Sequence, residues 1–496
     1  MEDGPVKKSK SSVKWRYNSP MVQIGVLGLV CFCCPGMFNA INGLGAVGKT
    51  ASDAQVTDNA NTALAVTFAT CSLVAGGLFN VLGHRILLFL GGLTYVLYIG
   101  SYLSSSAVFT ITAGAVLGVG AGFLWAAQGA IMISYPEEKQ KGKFIGIFWS
   151  IFNLGGALGS LIPLIIEWNT GKSKVSTATY VAFMVIMTCG SLLSLALLHP
   201  SKVFRSGGEP VSMHKYSSST TEAVEISKLF MDWRMMLLAP MFLASNWFYT
   251  YQFNAFNGGG LFSTRTRAFN GTFYWTAQIF GSNLMGNLLD SQLISKSRKT
   301  RAQVGLRALL VISTAVWGGG YAYQRTFSRE SVQNLIEANK IDLRESDRYA
   351  GPFVLYTCYG LFDAVWQTYC YWIMGALTND TRKAARFSGF YKAVQNAGAA
   401  LAGQVDAKKV SFMNELIINW ALLTFGCISA AFVTQFAVKD SNEMLEEAPV
   451  APPTYTANIE FSGALPPPDN WYVKESLPPS EPATIDTTRE PVNETV

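Results

Sequence analysis

Two ionisable side chains, Asp363 and Lys392, lie inside stretches of sequence that are otherwise apolar, at 350–375 and 387–405. Ionisable groups are costly inside a membrane, so they mark functional sites by default. Asp363 stands about twelve residues from one end of its stretch, which is roughly 18 Å along a helix. We expect Asp363 to bind or couple a solute, or else to be a protonated or amide-bonded acid that holds its helix. Lys392 either pairs with Asp363 or extends its long side chain to the membrane surface.

Amide and indole side chains accompany these two charges and could line a polar cavity. The set comprises Asn39, Asn42, Trp125, Gln128, Asn153, Asn246, Gln252, Asn254, Trp366, Gln367, Gln395 and Asn396. For any single amide, a hydrogen bond between helices is the simpler explanation, and it contributes about 1 kcal/mol or less. Together they favour a cavity at the interface between two halves of the chain, where transporters built from repeats bind their ligands.

The elements that must position these side chains are membrane-spanning helices. Of the 496 residues, 50% are hydrophobic and 14% charged, and the apolar blocks reach about 20 residues, the length that crosses a bilayer. We therefore predict an all-α integral membrane protein with twelve spans. The predicted spans are 20–42, 61–82, 86–106, 109–133, 144–166, 178–199, 235–257, 271–293, 303–324, 350–375, 387–405 and 413–436.

One segment of the sequence occurs twice. Residues 143–160 and 386–403 align without gaps, and they share Phe, Gly, Asn, Gly, Ala and Leu at matching positions. Each copy begins at a basic residue, Lys143 or Arg386, and continues as an apolar helix rich in small residues. The repeat predicts two pseudo-symmetric halves of six helices each.

A second pattern, Gly-x-Leu-x-(Asp/Asn), ends the second and eighth predicted spans at 76–80 and 286–290. It resembles the loop motif of the major facilitator superfamily, whose glycines allow tight helix contact and whose acid and base lock the cytoplasmic side. The first copy has Asn80 where that family has Asp, and the second has Leu293 where a late Gly belongs. The expected gate residues are Gly77, Asn80, Gly83, Arg85, Gly286 and Asp290.

The polar segments set the topology. Residues 1–19 form a basic tail, 200–234 a basic linker between the half at 20–199 and the half at 235–436, and 437–496 a Pro-rich tail that cannot bury enough apolar surface to fold. Because Lys and Arg accumulate in cytoplasmic segments, we expect both termini and the linker in the cytosol. A plasma-membrane and an endomembrane location both stay open.

Two short motifs predict modification or partner binding. The sequon at Asn270 falls in an outer loop, where it is accessible for glycosylation unless the nearby membrane hides it. Pro452, Pro453 and Tyr455 form a Pro-Pro-x-Tyr match to ligands of WW domains. The partner would then be a WW-domain ubiquitin ligase, whereas the alternative is a plain spacer.

Over residues 20–436 the chain resembles the uncoordinated-ninety-three-like membrane proteins, particularly their fungal branch, within the major facilitator superfamily. The resemblance rests on the motifs at 35–45, 124–130, 264–267, 274–278, 286–290 and 390–398. It implies a twelve-helix facilitator fold. In animals this family is associated with regulating potassium channels or escorting receptors, and for fungal members it implies no settled substrate.

Two functions follow from these residues. One is a secondary transporter of a small solute by alternating access, and the other is a nontransporting regulator or escort of another membrane protein. Scarce buried charge and Asn80 favour the regulator, while the amides and the fold favour transport, which we rank slightly ahead. We expect no enzyme, cofactor or metal, because nucleotide loops, metal spacings and hydrolase elbows are not found. The net charge of +6 fits membrane asymmetry and gives no indication of nucleic acid binding.

Overall fold

The N-terminal half is built from six long helices. Helix α1 runs Pro20–Cys31, passes through a π-helical turn at Phe32–Gly36 and continues as Met37–Gly43. The proline inside this turn, Pro35, removes one backbone donor and accounts for the local irregularity. The next five are α2 (Ala51–Leu82), α3 (His84–Ser101), α4 (Ala107–Ser134), α5 (Lys141–Thr170) and α6 (Thr177–Leu193).

These bounds come from a computed structural model, which describes residues 16–43, 51–104, 106–170, 177–205, 208, 210–211, 219–333, 335–336 and 339–442. Within those ranges the two halves together contain twelve long helices. The Pro-Pro-x-Tyr motif at Pro452, Pro453 and Tyr455 lies outside them, so its WW-domain partner stays a prediction.

Six further long helices form the C-terminal half. They are α7 (Trp233–Tyr249, extended by a π-helical segment at Thr250–Asn257), α8 (Thr264–Asp290), α9 (Arg298–Gln324), α10 (Ser346–Leu377), α11 (Thr381–Ala407) and α12 (Phe412–Phe436). Side chains of Asp232, Ser263, Ser297, Asp380 and Ser411 cap the first turns of α7, α8, α9, α11 and α12. An additional linker helix, Ser219–Leu229, precedes α7.

Each of the twelve predicted spans overlaps one of these helices, and the predicted all-α membrane fold is confirmed. Seven helical segments are long and apolar enough to cross a membrane: Pro20–Ile41, Asn59–Leu82, His84–Ser101, Ala107–Ser134, Glu138–Leu161, Arg298–Gln324 and Phe412–Phe436. Large apolar side chains such as Phe280, Val311 and Phe436 are exposed on the outer faces of their helices. Such faces suit contact with lipid. Helices α10 and α11 carry the buried ionisable residues Asp363 and Lys392.

The two halves meet most extensively through two symmetry-related helix pairs, α2 with α11 and α5 with α8, and α4 also packs against α11. A Cβ on Gly76 of α2 would meet the carbonyl of Ala385, and a Cβ on Gly286 of α8 would meet the carbonyl of Gly142. In the alignment of the repeated segments, Ala385 corresponds to Gly142, and Gly76 corresponds to Gly286. The repeated segments therefore occupy equivalent places in the two halves.

Candidate functional site

A cavity of about 470 Å³ lies between the two halves. Its walls come from α1, α2, α3, α4, α5, α7, α8, α10 and α11. Three residues of the lining, Thr62, Gln404 and Ala407, are exposed near the ends of α2 and α11 that lie away from the linker helix. We name that end of the bundle the far side, and the end that carries the linker helix the linker side. The cavity thus reaches the far side, and packed helix ends separate it from the linker side.

Seven of the amide and indole side chains expected to line a cavity do so, together with Lys392. The seven are Asn39, Trp125, Asn246, Asn254, Gln367, Gln395 and Asn396. The aromatic residues Trp149, Phe152, Tyr249 and Trp275 complete much of the wall. The cavity therefore combines aromatic surfaces with amides, the ammonium group of Lys392 and, near its far-side end, the carboxylate of Asp406.

Lys392 lies at the inner part of this cavity and is 4% exposed. Its Nζ donates to Oε1 of Gln395 at 2.8 Å and stands 4.4 Å from the ring centre of Trp125. It also lies 5.0 Å from the ring centre of Tyr391. Cation–π contacts and one hydrogen bond hold the ammonium group. The long side chain does not extend to the membrane surface, which was one of the two expectations for it.

Asp363 is fully buried in α10. Its Oδ2 accepts hydrogen bonds from Tyr249 at 2.8 Å, from Tyr274 at 3.1 Å and from Gln278 at 2.7 Å, while Oδ1 has no hydrogen-bond partner among the described residues. Tyr249 also lines the cavity, so its hydroxyl connects the acid to the cavity wall. The carboxyl and the ammonium of Lys392 each have their own partners and do not form a direct ion pair.

Gln367 connects the two ionisable residues to the helices around them. Its Nε2 donates to the carbonyl of Ser245 at 3.1 Å, and its Oε1 accepts from Nε2 of Gln395 at 3.0 Å. The hydroxyl of Tyr391 donates to the same oxygen. Because Gln395 in turn binds Lys392, a continuous set of hydrogen bonds joins α7, α10 and α11 behind the cavity wall.

Other candidates have packing roles. Nε1 of Trp366 donates to the carbonyl of Met241 at 3.2 Å and to Ser245 at 3.1 Å. Oε1 of Gln128 accepts from the hydroxyl of Tyr371 at 3.0 Å. Neither side chain lies in the cavity lining, and for these two the interhelical hydrogen bond is the right interpretation. Asn42 lies in the last turn of α1, and its side chain is outside the described residues.

The C-terminal copy of the gate motif joins the halves on the linker side. Oδ2 of Asp290 accepts from the backbone N–H of Lys143 at 2.7 Å, and Oδ1 accepts from Nε1 of Trp372 at 3.2 Å. Lys143 belongs to the first turn of α5, whose free N–H groups attract an anion. Together with the contact of Gly286 with Gly142, Asp290 clamps α8 to α5 across the interface.

The N-terminal copy of the gate motif also joins the two halves on the linker side. It does so through Glu222, a residue that the sequence analysis did not single out. Nδ2 of Asn80 donates to Oε2 of Glu222 at 3.1 Å, and Glu222 accepts from Nε and Nη2 of Arg386 at 2.8 and 2.7 Å. Glu222 belongs to the linker helix and is 3% exposed. The linker therefore supplies the acid that position 80 lacks, and it joins α2 to α11.

The remaining motif residues shape this region. A Cβ on Gly77 would lie 3.2 Å from Cβ of Glu222, so the glycine gives the linker helix its place against α2. Gly83 has a φ of 78° at the turn between α2 and α3, a conformation that favours glycine. Arg85 is half-buried in the first turn of α3.

The structure argues against a glycan on Asn270. Its side chain is 0% exposed. Its Nδ2 donates to Asn257 at 2.9 Å, and its Oδ1 accepts from Tyr349 at 2.6 Å. The sequon lies within α8 and not in a loop, so the amide is unavailable to a transferase in the folded chain.

Comparisons with known proteins agree with this architecture. A family model described as "Ion channel regulatory protein UNC-93" matches residues 59–434. UNC93-like protein 1 of Arabidopsis thaliana is 47% identical over 436 residues, which is 87% of this chain and 93% of that protein. UNC93-like protein C922.05c of Schizosaccharomyces pombe is 40% identical over 437 residues, covering 87% of this chain and 85% of that protein.

A solved structure is similar in fold alone. It is the proton:xylose symporter XylE, a major facilitator superfamily protein, bound to 6-bromo-6-deoxy-D-glucose. The TM-score is 0.56 at 12% identity, over 85% of this chain and 97% of that chain.

Proposed function

This chain belongs to the UNC-93 family, and we propose that, as a multi-pass membrane protein of the major facilitator type, it carries a small solute by alternating access. The observation that supports this proposal best is the cavity between the halves, which reaches the far side and ends at packed helices on the linker side. If the linker and both termini lie in the cytosol, as the basic residues predict, the cavity faces outward. A solute could then enter it while the cytoplasmic side is shut.

Closure on the linker side depends on contacts that cross from one half to the other. Asp290 binds the start of α5, and Glu222 binds Arg386 and Asn80. All of these contacts must break if the halves rock to open the linker side. They therefore act as a latch that favours the outward-facing state, and a bound solute would have to offset their loss.

Asp363 is the group that we propose to couple transport to protons. Three donors already serve Oδ2, so a proton on Oδ1 would neutralise the acid while these bonds persist. Tyr249 donates to the carboxyl of Asp363 and also lines the cavity. A solute that binds in the cavity and moves Tyr249 would therefore change the hydrogen bonds of the carboxyl.

The test is uptake by purified protein in proteoliposomes under an inward proton gradient, with a panel of labelled sugars, amino acids and organic acids. We expect at least one solute to accumulate, and Asp363→Asn to abolish accumulation while solute exchange persists. Asp347→Asn, at an exposed position before α10 enters the bundle, should behave as the unchanged protein. If Asp363→Asn accumulates solute to the same level as the unchanged protein does, Asp363 does not couple transport to protons.

A second candidate function is regulation or escort of another membrane protein without transport. The description of the matching family model, an ion channel regulatory protein, favours it. In that case no solute of the panel would accumulate. A membrane protein would instead copurify in stoichiometric amount after mild solubilisation, and that pair of results would reverse our ranking.

A further inference from the structure

We propose that the cavity binds an organic monoanion with a flat apolar body, whose negative group is held by Lys392. This inference rests on the proposed transport function for its biological meaning. The binding it asserts can be measured without transport.

Among the residues that the structure describes, no carboxylate lies within salt-bridge distance of Lys392, the positive charge of the cavity. Of the described residues that line the cavity, Lys392 and Asp406 carry charge. Asp406 lies near the far-side end of α11 and is already paired with Arg329 at 2.7 Å. Lys392, at the inner part of the cavity, is 4% exposed as a residue, and among the described residues its ammonium has one hydrogen-bond acceptor, Gln395.

An ammonium group has three donors, and aromatic faces are weaker partners than an anionic oxygen. Burying a charge is unfavourable unless it is paired. Opposite charges also attract more strongly in a cavity that excludes water than in bulk solvent. A carboxylate or another singly charged anion placed against Nζ would satisfy both the charge and the remaining donors. A cationic ligand would be repelled by the same group.

The residues of the cavity wall indicate that the part of the ligand beyond its anionic group is apolar and planar. Five aromatic side chains line the cavity, Trp149, Phe152, Tyr249, Phe253 and Trp275, and aromatic rings interact well with a planar ring system. The volume of about 470 Å³ falls within the range of cavities that enclose small organic molecules. A planar acid of one or two fused rings satisfies both the charge and the shape.

The test is calorimetric titration of the purified full-length protein in nanodiscs with three probes of the same shape and different charge. They are 2-naphthoate, 2-naphthamide and 2-naphthylmethylammonium, with empty nanodiscs as the blank for partition into lipid. We expect 2-naphthoate to bind at least about tenfold more tightly than the amide, because a hydrogen bond to a charged group is stronger than a neutral one. The ammonium probe should not bind.

Lys392→Met should remove the preference for the acid, whereas Lys392→Arg should keep it. Lys296→Met, at an exposed position between α8 and α9, is the matched control and should bind as the unchanged protein does. Equal affinities for acid and amide in the unchanged protein, or no binding of 2-naphthoate at millimolar concentration, would overturn the proposal. So would a folded Lys392→Met that keeps the preference.

Failure here is distinguishable from failure of the transport proposal. Binding of 2-naphthoate without uptake of it or of any panel solute would leave the anion site standing and remove transport. Uptake of a neutral or cationic solute, with no binding of 2-naphthoate, would support transport and contradict the anion site.

Discussion

The substitution Glu222→Gln tests whether the contact between Glu222 and Arg386 acts as a latch, that is, whether it stabilises the state in which the linker side is closed. The carboxylate of Glu222 receives two hydrogen bonds from the guanidinium of Arg386, at 2.8 and 2.7 Å. The two side chains are 4% and 11% exposed, so water screens the pair weakly. Glu222→Gln keeps the shape and the contact with α2 but removes the negative charge.

The size of the effect follows from this geometry. A hydrogen bond to a charged group contributes about 1.5–3 kcal/mol, and Gln retains part of this contribution. We therefore expect Glu222→Gln to destabilise the closed state by about 2 kcal/mol. That value shifts the equilibrium between the closed and open linker sides about 30-fold. If the open state has a population of about 1% in the unchanged protein, it rises to about a quarter in Glu222→Gln.

The assay is a distance measurement between nitroxide labels on cysteines introduced by Lys139→Cys and Lys296→Cys. These exposed positions lie on opposite halves at the linker side. Because Cys189 is exposed, it is replaced by Ser in this background. We expect one dominant short distance in the unchanged protein and a second, longer distance in Glu222→Gln.

The matched control is Glu225→Gln. Glu225 also faces Arg386, but at 3.3 Å and with a side chain that is 33% exposed, so the change should alter the populations less than about threefold. A Glu222→Gln protein whose distance distribution is unchanged, while its thermal stability falls, would refute the latch. Glu222 would then stabilise the fold equally in both states.

Three other predictions concern the interface and the far side. Gly286→Ala places a methyl group against the carbonyl of Gly142, so the same label pair should report a larger open population. Burial alone would raise the pKa of Asp342, but hydrogen bonds from Arg265 and Ser263 lower it below its usual value of 3.8. Its contribution to stability is therefore complete above that value and is lost as the pH falls through the depressed pKa, so the Tm difference between Asp342→Asn and the unchanged protein should hold from pH 7 to 5 and shrink towards pH 3. Asn270→Ala removes the buried partner of both Asn257 and Tyr349 and should lower stability by about 2 kcal/mol, measured as Tm.

Two control variants match the substitutions at Gly286 and Asn270. Gly351→Ala adds a methyl group where nothing lies within 4 Å, and it should leave the label distances unchanged. Thr272→Ala removes the sequon but leaves the amide of Asn270, so its Tm should stay closer to that of the unchanged protein. A loss of electrophoretic mass in both Asn270→Ala and Thr272→Ala would contradict the buried position of the amide. A Tm difference for Asp342→Asn that grows between pH 5 and pH 3 would contradict its depressed pKa.

Much of the fold could be predicted because the length of an apolar block and a repeated segment report directly on membrane helices. The copies at 143–160 and 386–403 lie on α5 and α11 and make equivalent contacts, as the repeat predicted. Cavity residues such as Asn39 and Lys392 could be proposed because polar groups in apolar blocks are few. Their partners could not, since those depend on how each helix is rotated about its axis. Trp366 and Gln367 are neighbours in sequence, yet Gln367 lines the cavity and Trp366 does not.

Two misses have specific physical causes. Glu222 stands in a polar linker whose composition is that of any solvated segment, and its role becomes evident when the linker helix packs against Gly77 and Arg386. The sequence places Asn270 in a loop before the eighth predicted span, because Arg265 and Arg267 lower the local hydrophobicity. The N-cap at Ser263, whose Oγ accepts from the N–H of Thr266 at 3.4 Å, starts α8 earlier and carries Asn270 into the bundle.

The measurement that tests alternating access most directly uses two label pairs in separate samples of the full-length protein in nanodiscs. One pair is Lys139→Cys with Lys296→Cys on the linker side, and the other is Asn59→Cys with Lys408→Cys, both exposed, on the far side. We predict that Glu222→Gln lengthens the first distance and shortens the second in the same fraction of molecules. A first distance that lengthens while the second stays fixed, or two distances that never change, would contradict a carrier whose halves rock about a central cavity.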